Sequence, residues 1–254
     1  MNGLQIRGLT LDRAGRRLVE GLDLHLAPGT CWALLGINGS GKSTLLHALA
    51  GLYAPSSGEV RLEGRPVARW PGRQRARRIG LLFQQGEEGL GMRVREEAAH
   101  GRHPWVSPWR GLTGEDRRKV EEALERMELL ELADRPSAEL SGGERQRLAI
   151  ATLLIQEPRV LLLDEPANHL DLHHQMTVLA LFRDLARAGR TGIMALHDLN
   201  LAARFCDHVL LLEGEGRWCS GRHEEVLAAE RLSRVFQHPL RELEVEGRRC
   251  FLPR

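Results

Sequence analysis

The sequence predicts an α/β fold, in which a core of buried strands and helices carries antiparallel N-terminal strands and is interrupted by a small helical insertion. Three observations lead to it. Short apolar runs suited to buried strands recur as CWALLG (Cys31–Gly36), IGLLF (Ile79–Phe83), VLLLD ending at Asp164, GIMAL ending at Leu196 and VLLLE ending at Glu213. Helical patterns alternate with these runs in the last hundred residues. Between Gly86 and Leu140 no convincing strand occurs.

Taken in chain order, LDLHL (Leu22–Leu26) and EVRLEG (from Glu59) alternate with period two and read as strands of hairpins. CWALLG is a buried strand leading into a glycine loop, and Thr44–Ala50 is a helix stopped by Gly51. After IGLLF the character changes. Arg117–Ala133 is predicted helical, with Val120, Leu124, Met127 and Leu130 on one face. In LSGGERQR, Ser141 is a good N-cap and Glu144 completes a capping box, so a further helix starts there. VLLLD, the helix Leu172–Ala188, GIMAL, the helix Asp198–Cys206 and VLLLE then restore the alternation. This gives one domain over 1–254: a core from 1–85 and 150–254, and a helical subdomain over 86–149 whose arginines Arg93 and Arg102 are expected at the surface.

A chain of 254 residues can bury a sizeable core. With 36 basic and 34 acidic side chains there is no general electrostatic pull toward nucleic acid, and no nucleic-acid partner is expected. The apolar runs are too short to cross a bilayer, and MNGLQIRGLT lacks the order of a signal peptide, which together lead to the expectation of a cytosolic chain. Cys31, Cys206, Cys219 and Cys250 form no C-x-x-C pair and read as reduced thiols. Lys42 and Lys119 are the only lysines. A chain that otherwise uses arginine keeps a compact ammonium inside its glycine loop.

That loop, GINGSGKST, fits G-x-x-x-x-G-K-[ST] through Gly36, Gly41, Lys42 and Ser43, between a strand and a helix as the motif requires. Gly36, Ile37, Asn38, Gly39, Ser40, Gly41, Lys42, Ser43 and Thr44 are therefore the candidate ATP-binding residues. Backbone N–H groups would cradle the phosphates, Lys42 would reach the β- and γ-phosphates, and Ser43 would ligate Mg²⁺. Asp164, at the end of a buried strand, is the second candidate metal ligand. Glu165 follows it and is placed to orient and polarise an attacking water. His197 also sits at a strand's C-terminal end, where the ligands of parallel sheets bind, and can meet the γ-phosphate. Gln84 has a similar position after IGLLF and is a third candidate metal ligand.

These residues together resemble the nucleotide-binding subunits of ABC transporters, from about Leu4 to Leu252. GINGSGKST resembles the family's Walker A motif, Gln84 its Q-loop glutamine, LSGGERQR its signature, VLLLDE its Walker B with catalytic glutamate, NHLD with Asp171 its D-loop, and His197 its switch histidine. The resemblance implies a P-loop NTPase core of the ABC ATPase type that uses ATP and Mg²⁺. It also implies a head-to-tail homodimer, in which Ser141, Gly142 and Gly143 of one chain face the nucleotide held by the other. Polytopic permease subunits would hold the protein at the cytoplasmic face of the plasma membrane, with a periplasmic binding protein as an indirect partner. LHDLNLAARFCD, DLHHQ and the tail after Val226 are most similar to importers of ferric siderophores, haem and vitamin B12. A single-cassette cytosolic ATPase with an assembly or repair role is the alternative.

Some positions depart from the family pattern. Arg13 stands where an adenine-stacking aromatic ring is common, and both stacking on the base and a solvated strand-end charge are open readings. His169 replaces a small residue in the D-loop. With His173 and His174 it resembles a metal-ligand spacing, but the three fall on the D-loop and the following helix. Trp105 and Trp109 lie in the part expected to meet the membrane partner, or pack the insertion itself.

Overall fold

The computed structural model describes residues 3–83, 91–107 and 111–254. Gln84 and Trp109 lie outside the described residues. The chain begins with two long antiparallel strands, β1 (Leu4–Arg13) and β2 (Arg16–Leu26), followed by β3 (Cys31–Leu35), helix α1 (Lys42–Leu49), β4 (Ser57–Leu62) and β5 (Arg65–Pro66). A short helix α2 (Gly72–Ala76) leads to β6 (Ile79–Leu82). The helices α3 (Val94–Ala99), α4 (Gly114–Arg126) and α5 (Gly142–Gln156) come next, before β7 (Val160–Asp164), α6 (Leu172–Arg187), β8 (Thr191–Ala195) and α7 (Leu199–Phe205). The end of the chain forms β9 (His208–Gly214), β10 (Arg217–Arg222), α8 (His223–Val226), α9 (Ala229–Val235) and a closing hairpin of β11 (Leu240–Val245) and β12 (Arg248–Pro253).

The main sheet has the order β10-β9-β3-β8-β7-β6, and all its pairs are parallel except β9 with β10. A second, antiparallel sheet has the order β2-β1-β4-β5. Strand β3 shows why its sequence is uniformly apolar rather than alternating. Cys31, Ala33 and Leu35 point into the core shared with α6 and the inserted helices, whereas Trp32 and Leu34 point into the core shared with α1 and the antiparallel sheet. A central parallel strand is buried on both faces, so every position must be apolar.

The insertion departs from the sequence reading in three places. First, α4 stops at Arg126, not Ala133, because Glu128 adopts a left-handed φ of 54°. Leu130 then lies in a separate turn, 44% exposed, instead of continuing the apolar face. Second, α5 runs through residue 149 to Gln156, so a boundary at 149/150 cuts a helix. Third, Arg102 is buried. Its Nε donates to Asp116 Oδ1 at 2.7 Å, and its Nη1 donates to Ile155 O at 3.1 Å and Glu157 Oε2 at 2.8 Å. It thereby ties the segment after α3 to α4 and to the C-terminal end of α5. Trp105 packs on this cluster, between Arg77 and Arg102, and donates from its indole to Gln156 O at 2.9 Å.

Removing Arg102 strands a buried carboxylate. Asp116 keeps its bonds from the Thr113 amide at 3.0 Å and hydroxyl at 2.7 Å, which with Arg102 hold its pKa below the usual carboxylate range. Arg102→Met is expected to destabilise the fold by about 3 kcal/mol, and Arg102→Met with Asp116→Asn to recover much of that loss. Urea unfolding of the single and double variants measures both.

Candidate functional site

Three neighbouring strands of the main sheet bring the site together: β3 ends at the glycine loop, β8 ends just before His197, and β7 ends at Asp164. Gly36 turns the chain off β3 at a φ of 150°, and a Cβ there would meet Ser40 Oγ at 2.6 Å and Leu212 O at 2.9 Å. Gly41, the N-cap of α1, has a φ of 104° and no room for a side chain, since a Cβ would lie 2.9 Å from that of Leu18. Only glycine suits such positions. No side chain caps α1, so the N–H groups of its first turn keep their capacity to bind an anion.

Lys42 opens that turn, 6% exposed. Its Nζ donates to Gly36 O at 2.8 Å and Ile37 O at 3.3 Å, which folds the ammonium over its own loop. Burial lowers its pKa from the ordinary lysine value, opposed by the charges of Glu165 and Asp164.

Asp164 is 2% exposed, and neither carboxylate oxygen has a hydrogen-bond partner. Burial raises its pKa; the Ser43 hydroxyl opposes the rise, although no hydrogen bond of normal geometry joins the two. A buried carboxylate without a partner is unfavourable unless something charged completes it. An oxygen-binding cation such as Mg²⁺ fits this donor set of a carboxylate beside a hydroxyl.

Glu165 has a left-handed φ of 52° and is 8% exposed. Its N–H donates across to Ala195 O on β8 at 3.2 Å, which brings the ends of the two strands into register. One carboxylate oxygen meets Nε2 of His197, and the other accepts from the side-chain amide of Asn168. Gln146 on α5 donates to Pro166 O at 3.1 Å and Glu165 O at 3.4 Å, so the helix that begins at Ser141 also braces the turn after Glu165.

An open cavity of about 640 Å³ lies over these groups, walled by Asn38, Gly39, Gly41, Lys42, Ser43, Thr44, Glu165 and His197. Of the other loop residues, Ser40 is buried and Ile37 is 37% exposed. Arg13 is exposed on the cavity wall, where its Nη1 donates to Thr44 Oγ1 at 3.2 Å. It is therefore fastened to the end of the glycine loop and is not a purely solvated charge.

Ser141, Gly142 and Gly143 do not line that cavity. Ser141 and Gly142 are exposed, and the capping box is formed: Glu144 N donates to Ser141 Oγ at 3.3 Å, and Ser141 N to Glu144 Oε2 at 2.7 Å. The Ser141 side chain is the main cause of a lowered Glu144 pKa. Gly143 approaches His169, whose φ is 62°, so closely that a Cβ would lie 3.0 Å from its carbonyl oxygen. Asp171 caps α6 and accepts from His174 N and His174 Nδ1, each at 2.8 Å. Among the described residues no group of three or more His, Cys, Asp and Glu could hold a metal ion.

Sequence reasoning missed several contributors. Arg16 and Leu18 line the cavity, and Arg16 pairs with Arg13 across the hairpin. The Ala-Gly turn within LDRAGRR, with positive φ at Ala14 and Gly15, was the available signal. Asn168, within NHLD, holds the Glu165 carboxylate, and Gln146, within LSGGERQR, braces the turn after it; neither motif announces these contacts. Cys31 and Cys206, far apart in sequence, meet as buried thiols with 3.9 Å between sulfurs.

The pattern that defines the ABC transporter family matches residues 19–168. The hemin import ATP-binding protein HmuV of Nocardia farcinica is 40% identical over 257 residues, covering 98% of this chain and 88% of that protein. A solved structure described as an inward-facing metal-chelate type ABC transporter superposes with a TM-score of 0.85 at 27% identity, over 100% of this chain and 98% of that one. The ATP-binding cassette MJ0796, solved as a post-hydrolysis dimer with ADP and Pi, gives a TM-score of 0.77 at 27% identity, over 87% of this chain and 98% of that one. With the glycine loop, the strand-end acids and the helix start at Ser141 all in place, the chain belongs to the ABC transporter family, as one of its ATP-hydrolysing cassettes.

Proposed function

We propose that the protein powers an importer of an iron chelate, haem or a ferric siderophore, or of cobalamin. The observation that carries the substrate class is its likeness, over nearly its whole length, to a protein named for hemin import. Two copies would pack head to tail about a two-fold axis, as the dimeric state of a similar cassette supports. Each nucleotide would then lie between the glycine loop of one protomer and Ser141, Gly142 and Gly143 of the other. Permease subunits would hold the dimer at the cytoplasmic face of the membrane, and a periplasmic protein would deliver the cargo. No helix among the described residues is long and apolar enough to cross a membrane.

In this reading Asn38 to Thr44 cradle the phosphates, and Lys42 exchanges its bonds to Gly36 O and Ile37 O for phosphate oxygens. Asp164 and Ser43, with Gln84, would hold Mg²⁺, which supplies charge neutralisation at the β- and γ-phosphates. Glu165 accepts a hydrogen bond from the attacking water and polarises it, while His197 positions Glu165 and the γ-phosphate edge. Arg13 contributes a guanidinium face beside the base. Asp171 caps α6 where the two chains meet.

Purification from the native host in mild detergent tests the import reading against a cytosolic assembly or repair role. The protein is expected to co-purify with a polytopic membrane protein, and loss of its gene is expected to abolish growth on the transported iron chelate or uptake of cobalamin. Recovery in the soluble fraction alone, with uptake of all three cargo classes intact, would refute the proposal.

A further inference from the structure

A cavity of about 740 Å³, larger than that over the glycine loop, shares none of that cavity's lining residues. Its floor is a stripe of α6, Met176, Ala180 and Arg183, spaced to lie on one helix face, together with Leu201 of α7. Its roof is the tip of the C-terminal hairpin, where Glu246 and Gly247 have positive φ and reverse the chain between β11 and β12.

The roof is anchored from below. Asn200 on α7 bonds Phe251 twice, donating to its carbonyl at 3.2 Å and accepting from its N–H at 2.7 Å. Arg249 donates to Glu224 O at 2.7 Å and Leu227 O at 2.6 Å, while pairing with Glu242. Those bonds hold β12 from Arg249, two residues after the turn at Gly247, to Phe251 in mid-strand, and so fix the tip of the hairpin over the α6 stripe.

Four arginines, Arg183, Arg204, Arg248 and Arg249, line the cavity against two glutamates, Glu224 and Glu246. Arg204 on α7 and Arg248 on the hairpin face this cavity from floor and roof, and neither has an ion-pair partner among the described residues. Arg183 and Arg204 also flank the ring of Phe205. An apolar floor between two guanidinium groups that have no carboxylate partner among the described residues is suited to a ligand with an apolar body and a carboxylate, since the guanidinium fork matches a carboxylate with two parallel bonds.

We infer that the cavity beneath the C-terminal hairpin is a binding site for an amphipathic carboxylate, held by Arg204 and Arg248 over the Met176–Ala180 stripe. A rigid dicarboxylate such as a porphyrin and a flexible monocarboxylate such as a fatty acid both combine an apolar body with a carboxylate. The inference rests on the cavity alone and is independent of what the transporter carries.

The test titrates the purified full-length protein with protoporphyrin IX, read by porphyrin fluorescence, with oleate and ATP as competitors. Saturable binding of one porphyrin per chain is expected, and ATP is expected not to displace it. Arg204→Glu with Arg248→Glu should weaken binding about tenfold or more, as loss of charge-assisted contacts implies. Ala180→Trp, which fills the floor, should weaken it by exclusion, and Arg204→Lys with Arg248→Lys should retain part of it. ATP affinity, unchanged in every variant, checks the fold. Displacement by oleate would identify a general carboxylate site, and resistance to oleate a site for rigid dicarboxylates; both support the inference. Non-saturable binding, displacement by ATP, or equal affinity in all variants would overturn it.

Discussion

Lys42→Ala is expected to lower ATP hydrolysis about a hundredfold or more, the loss seen when a preorganised charge is taken from a dry phosphoryl-transfer site. The fold should survive. Lys42 makes only two hydrogen bonds, both to carbonyls of its own loop, and the roughly 1.5–3 kcal/mol gained from each by a charged donor is offset by the cost of burying the ammonium. Lys42→Arg should fail as well, because the position is 6% exposed and a planar fork does not fit the path an ammonium takes between Gly36 O and the phosphates. Phosphate release by the purified protein, beside its melting temperature without nucleotide, separates a catalytic defect from a folding one. Normal turnover in the arginine variant would contradict the role given to Lys42.

The second large effect concerns Glu165. Glu165→Gln keeps the shape that meets His197 and Asn168 and removes the negative charge that polarises water. Hydrolysis should fall by a factor of roughly 10² to 10⁴, while ATP binding persists and a closed dimer accumulates. ATP stabilises that dimer only through tighter binding to the closed than to the open state. Adding Ser141→Arg to the same chain should abolish the dimer, because the exposed cap of α5 would then carry bulk where the partner's γ-phosphate is expected. Size-exclusion chromatography with light scattering reads the result. An ATP-loaded Glu165→Gln protein that stays monomeric, alone and with its permease, would sink the shared-site arrangement.

The parts of the site legible in the sequence are those whose chemistry is local. The glycine loop is defined by residues within one turn, and the packing at Gly36 and Gly41 explains why no other residue serves there. The capping box at Ser141 is equally local. That His197 sits at the same sheet edge as Glu165, 32 residues away, follows from a rule about strand ends, whereas their direct contact is seen only in the fold.

What was not legible depended on tertiary partners. Arginine is usually a surface residue, so nothing in the sequence near Arg102 announced that Asp116 and Glu157 would bury it. Glu128 ended α4 through a left-handed backbone that glutamate rarely adopts. The closing hairpin, LRELEVEGRRCFLP, is charged along much of its length, and only Phe251 is buried. Its strands are held by Asn200 and Arg249 rather than by an apolar pattern, which is why period-two reasoning passed over them.

The packing of Gly36 against Leu212 has a consequence for biosynthesis. Strand β3 is flanked by β8 and β9, so its two edges wait for residues made 161 and 176 positions later (Cys31 with Gly192, Trp32 with His208). A nascent chain that has exposed its glycine loop still lacks the neighbour that shapes it, and carries an unpaired apolar strand in the meantime. A ligand stabilises a fold only from the stage at which its binding surface exists. Nucleotide can therefore strengthen only nearly finished chains, and a product truncated before His208 is denied that stabilisation and left to chaperones and proteases.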